Sequence, residues 1–143
     1  MNLLDNFSFK HLFLYLVLLL VVDIPFLRFI FGEPYAKMVQ AIQGTPMQII
    51  EGGWTKVTGV AGVYLLMALA ILMFVRPRIE DNITALAWGG LLGSIIYGVY
   101  AFTAFALFTN WNLNLSLVDL VWGGVLFGIV SVLGYQIEGM GLI

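Results

Sequence analysis

The chain has 143 residues, of which 62% are hydrophobic and only 10% are charged, with a formal net charge of −2. So little charge leaves no surface for a soluble domain, and the scattered Lys and Arg residues form no basic patch for nucleic acid. No cysteine and a single histidine, His11, exclude disulfides, thiol catalysis, thiolate metal sites and a paired-imidazole metal or haem site within one chain.

A helix needs about 20 apolar residues to cross a bilayer core. Residues 82–118 carry no charge at all, enough for one span, a turn and the start of another, and 57–75 and 120–137 are similar runs. No alternating ten-residue pattern points to a barrel. The expected fold is therefore all-α: one domain over residues 1–143, an integral membrane bundle of four transmembrane helices.

The first span runs from about Phe9 to Phe31, and Pro25 is expected to kink or end it. Lys10 and His11 before the apolar run Leu12–Val22 look like a signal peptide, but no small-residue cleavage site follows, so the segment reads as an uncleaved first helix. Between spans one and two, Pro34, Gly44, Pro46 and Gly52 mark a connecting region. Within it, Tyr35–Gln43 is read as a short interfacial helix with Tyr35, Met38, Val39 and Ile42 on one face and Lys37, Gln40 and Gln43 elsewhere. A loop packed over the bundle is the other reading, and both stand.

The second span covers about Thr55–Val75 and stops at Arg76-Pro77-Arg78; the third covers about Ile83–Phe108. A polar turn, Thr109–Asn114, leads to the fourth at about Leu115–Ile137. Four spans put both termini on one side of the membrane. Lys10, Arg76 and Arg78 on that side balance Arg28, Lys37 and Lys56 on the other, and the arginines packed into the short loop favour cytoplasmic termini. Trp54 and Trp111 fit an aromatic belt at the opposite interface.

Trp88-Gly89-Gly90-Leu91-Leu92 is echoed by Trp122-Gly123-Gly124-Val125-Leu126, either a duplicated element or the convergence of two packing faces. Gly89 with Gly93, and Gly124 with Gly128, form small-xxx-small pairs that let helix backbones approach. They serve either packing inside the bundle or docking of another membrane protein.

Charge inside the membrane is the sharper signal. Asp119 lies about 6 Å into span four at 1.5 Å per residue, and Asp23 lies near the far end of span one, at similar depth on the same side. Such carboxylates are costly and need partners. A polar cluster of Asp23, Arg28 and Asp119 is expected, with Trp122 one turn below Asp119. In it Arg28 neutralises the carboxylates, as an ion pair setting helix register or as part of a proton or ion relay. His11 and Glu138 read as solvated flanking residues, and Glu80 and Asp81 as loop charges beside Arg76 and Arg78. No nucleophile elbow, phosphate-binding loop or His-Glu-x-x-His is present, so no enzymatic activity, metal or cofactor is expected.

Tyr97–Thr103, Asn110-Trp111-Asn112-Leu113 and Val118-Asp119-Leu120-Val121-Trp122-Gly123 resemble a family of small bacterial membrane proteins catalogued as domain of unknown function number twenty-one seventy-seven. Asp23 after a leucine-rich helix and Tyr35 beyond it are similar to that family's opening. The resemblance covers most of the chain and implies four transmembrane helices in a bacterial inner membrane. It implies no substrate or site. Where the family has Tyr-Asp-Leu-Thr-Asn in its third helix, this chain has Tyr100-Ala101-Phe102-Thr103-Ala104, so any transport or catalysis served by those two polar groups is lost here.

These features lead to one expected function, with a second as its alternative. The first is an accessory or assembly subunit packed against other integral membrane proteins in a larger complex, with membrane lipid as its remaining surroundings. The second is a small oligomeric transporter or channel using the intramembrane carboxylates.

Overall fold

Among the described residues four helices are long and apolar enough to cross a membrane, and the first is longer than a bilayer requires: it runs unbroken through 35 residues, Phe9–Gln43. The computed structural model describes residues 7–49 and 51–143. Helix α1, Phe9–Phe26, contains Pro25 and passes through a wide π turn, Leu27–Phe31, straight into α2, Gly32–Gln43. Pro25 has no N–H for the Val21 carbonyl, and the chain answers with a wide turn instead of stopping. The expected connecting region at Gly32 is thus helical as far as Gly44, whose left-handed backbone (φ 77°) ends α2.

Helix α2 keeps the predicted face. Met38 is buried and Tyr35, Val39 and Ile42 are half-buried, while Lys37, Gln40 and Gln43 are exposed. The inner face lies over the turn that follows in the chain beyond residue 107: the Asn112 N–H donates to Met38 Sδ at 3.2 Å, and the Tyr35 and Tyr100 hydroxyls are 2.7 Å apart. The segment is both an amphipathic helix and a cover packed on the bundle.

Helix α3, Trp54–Ala70, continues through a second π turn, Ile71–Val75, and a 3₁₀ turn, Arg76–Arg78, before extended backbone at Ile79 releases the chain. Helix α4, Asn82–Leu107, begins with a capping box in which Asp81 accepts from the Thr84 N–H and Thr84 Oγ1 accepts from the Asp81 N–H. Helix α5, Leu113–Gly139, is capped by Asn112, whose side-chain oxygen accepts from the Asn114 and Leu115 N–H groups.

Helices α4 and α5 form the tightest pair. A Cβ placed on Gly93 would strike the Gly123 carbonyl, and one on Gly123 would strike Tyr97 and the Gly93 carbonyl. Gly89 faces Phe127 and Ser131, Gly124 faces Ser94 and Gly90, and Gly128 faces Leu86. All four predicted packing glycines are therefore spent inside this hairpin, which explains the sequence echo: two antiparallel faces each supply what the other needs. The docking role considered for them is not available, because the partner helix fills the space. In lipid such pairing is driven by close van der Waals packing rather than water exclusion. Helix α1 lies between α5 and α3, around a core that includes Tyr15, Leu19, Ile71, Leu126 and Phe127. Large apolar residues such as Phe13, Phe29, Ile83 and Val121 point outward, as lipid-facing surface requires.

Candidate functional site

The buried face of α1 includes Tyr15, Leu19, Asp23 and Phe26. Asp23 is 3% exposed and accepts two hydrogen bonds from neighbouring helices, from the Tyr64 hydroxyl on α3 at 2.7 Å and from the Trp122 indole N–H on α5 at 2.8 Å. Phe26, one turn beyond Asp23, lies flat on the Trp122 ring, with centroids 3.7 Å apart and planes 7° from parallel. This one carboxylate ties three helices together.

Asp119 sits one turn before Trp122 on α5, about 9 Å along the axis from Leu113 at 1.5 Å per residue. It is 8% exposed. Among the described residues nothing donates a hydrogen bond to it. Of the predicted members, Asp23 and Trp122 are hydrogen-bonded to each other, and Tyr64 joins them; a tyrosine at mid-span carried no signal of which carboxylate it would meet.

Arg28 does not join them. It is exposed, makes no ion pair among the described residues, and borders an outward pocket with Glu33 and Lys37. Five residues past Asp23 is about 140° around a regular helix, and the wide turn begins in between, so the guanidinium leaves the inner face. Asp23 is met by two neutral donors where an ion pair was expected.

A second cluster closes the end of the bundle where α1 begins and α5 ends. Arg76 Nε donates to both carboxylate oxygens of Glu138 at 3.0 Å, Arg76 Nη2 is 3.2 Å from His11 Nε2, and the Tyr15 hydroxyl donates to Glu138 at 3.1 Å. The Tyr15 ring fills the space above Gly134, where a Cβ would collide with it. His11 and Glu138 were read as solvated flanks; they are mostly buried and belong to this latch. The available signal was opposite charge at one membrane face, since four spans place Arg76 and Glu138 together. Arg78 turns outward and lies over the Trp88 ring, 5.6 Å from its centroid.

Among the described residues no three His, Asp or Glu side chains gather as a metal-ligand set. The Asp23–Asp119 site offers carboxylates, phenols and an indole. That chemistry suits holding a proton or a cation.

The family described as "Predicted membrane protein (DUF2177)" matches residues 8–136. The chain belongs to this family. It is a multi-pass membrane protein. No curated protein and no solved structure matches it. The family match covers both carboxylates, Tyr64 and Trp122. The two alanines at the departure from the family pattern, Ala101 and Ala104, are buried, and the Ala101 carbonyl accepts from the Ser116 hydroxyl at 3.3 Å.

Proposed function

We propose that this protein is a non-enzymatic transporter or channel that moves protons or cations, with Asp23 and Asp119 as its working groups. The observation that carries this reading is the pair of buried carboxylates inside the spans with no cation beside them among the described residues. A carboxylate pair of this kind in a bilayer marks a proton or ion pathway unless a partner neutralises it. Its expected neutraliser, Arg28, is on the outside. The working groups are those this chain retains, so the loss of polar side chains at Ala101 and Ala104 does not touch them. The bilayer in this reading is a bacterial inner membrane, with the termini in the cytoplasm.

The accessory-subunit reading keeps one supporting observation. The first two turns of α3 are exposed nearly all round, and small residues there, Gly59 and Gly62, have nothing within contact distance of a Cβ. That bare stretch suits another integral membrane protein or a second copy of the chain.

Reconstitution decides between them. Vesicles containing the protein and an internal pH dye should acidify under an imposed gradient, and Asp119→Asn should abolish the flux with the helices intact. Flux that is absent, or equal in the variant, sinks the transport reading. Extraction of the native protein as a heteromer of fixed stoichiometry would establish the subunit.

A further inference from the structure

Arg28 and Lys37 would face opposite sides of a regular helix, because their separation in the chain comes to about 180° beyond whole turns. The wide turn at Leu27–Phe31 takes up one extra residue, and the angle between them falls to about 80°. Both cations therefore line one outward hollow of about 460 Å³, together with Phe29, Ile30, Glu33 and Pro34. Lys37 Nζ lies 2.7 Å from Glu33 Oε1, while the Arg28 guanidinium has no ion-pair partner among the described residues. Two cations against one carboxylate leave the hollow with one uncompensated positive charge.

Its level in the bilayer follows from the length of α1. Phe9 to Arg28 covers about 28 Å at 1.5 Å per residue, against a hydrocarbon core of about 30 Å. A span that enters at Phe9 thus brings Arg28 out where lipid headgroups lie, with Phe29 and Ile30 exposed beside it. We propose that this hollow binds the headgroup of an anionic phospholipid, with Arg28 and Lys37 on the phosphate and the acyl chains against Phe29 and Ile30. A phosphodiester carries one negative charge, equal to the charge left over, and a guanidinium meets two phosphate oxygens at once. A zwitterionic headgroup brings an ammonium into the same positive hollow, and a soluble phosphate makes no use of Phe29 and Ile30. The chain as a whole carries −2, so a preference for anionic lipid has to come from a local site. This site lies on the outer face of the helix and does not depend on the transport reading.

The test is native mass spectrometry of the purified full chain in mild detergent, titrated with phosphatidylglycerol, phosphatidylethanolamine or phosphatidylcholine. One phosphatidylglycerol should bind at least about fivefold more tightly than either zwitterionic lipid, the effect of one cation at a membrane surface. Arg28→Gln and Lys37→Gln should each remove about that factor. Glu33→Gln, which leaves both cations unopposed, should tighten binding, and Lys56→Gln, a cation outside the hollow, should leave it unchanged. All four side chains are exposed, and circular dichroism checks that each variant keeps its helices. Equal binding of the three lipids, selectivity that persists in Arg28→Gln, or an equal loss in Lys56→Gln overturns the proposal. So does displacement of phosphatidylglycerol by an equal concentration of glycerol phosphate, which would make the ligand a soluble phosphate.

Discussion

Trp122 donates its indole N–H to Asp23 across 2.8 Å, and the two residues belong to helices at opposite ends of the chain. With Tyr64 donating from the third helix, a single carboxylate holds α1, α3 and α5 in one arrangement. The first prediction concerns that bond. Trp122→Phe retains a ring against Phe26 but removes the donor, and should cost about 1 kcal/mol. Asp23→Leu strands two donors and should cost more, about 2–6 kcal/mol at 1–3 kcal/mol per unsatisfied group. Thermal unfolding in detergent, followed by circular dichroism, measures both; equal effects would mean that the ring contact rather than the carboxylate holds the helices.

Gly93→Ala should loosen the hairpin. The new methyl meets the Gly123 backbone carbonyl, which cannot rotate away as a side chain tip could, so the helices must part at about 1–3 kcal/mol. Gly59→Ala, on the bare face of α3, meets nothing and should be neutral or stabilising by up to about 1 kcal/mol. Unfolding of the two variants side by side checks the contrast, and a comparable loss at Gly59 would reveal a partner on α3.

At the other end, Glu138→Gln leaves the Arg76 guanidinium without its counter-charge in a mostly buried setting. A loss of about 1.5–3 kcal/mol is expected, the range for hydrogen bonds to charged groups. The Arg76→Gln and Glu138→Gln double-mutant cycle should give a coupling of at least about 0.5 kcal/mol. Additive losses would show that the two side chains act separately.

The α4 cap carries a pH dependence. The backbone N–H and hydroxyl of Thr84 hold the Asp81 carboxyl below the usual carboxylate range. A carboxyl whose folded value is depressed stabilises the fold above its unfolded value, about 4, and loses that contribution as pH falls through the folded value. Protection of the Thr84 amide against hydrogen exchange, corrected for intrinsic rate, should therefore decline on acidification below about pH 4. Asp81→Asn keeps an acceptor and should flatten the decline.

The four spans and the inner face of α2 were legible in the sequence, because hydropathy and helical periodicity are properties of neighbouring residues. So was the approach of Asp23 to Trp122, since antiparallel topology equates depth on spans one and four. What depended on helix rotation was not. Two wide turns shift the phase of α1 and α3 by an amount no residue pattern encodes. The rotation of each helix about its own axis leaves Arg28 outward, faces Tyr64 to Asp23, and faces Arg76 to Glu138 and His11. Glycine spacing likewise declared that backbones would approach without saying whose. Sequence determined the depth at which each polar group lies, and only the tertiary structure decided which of them meet, because depth follows from counting residues and meeting depends on how far each helix has turned.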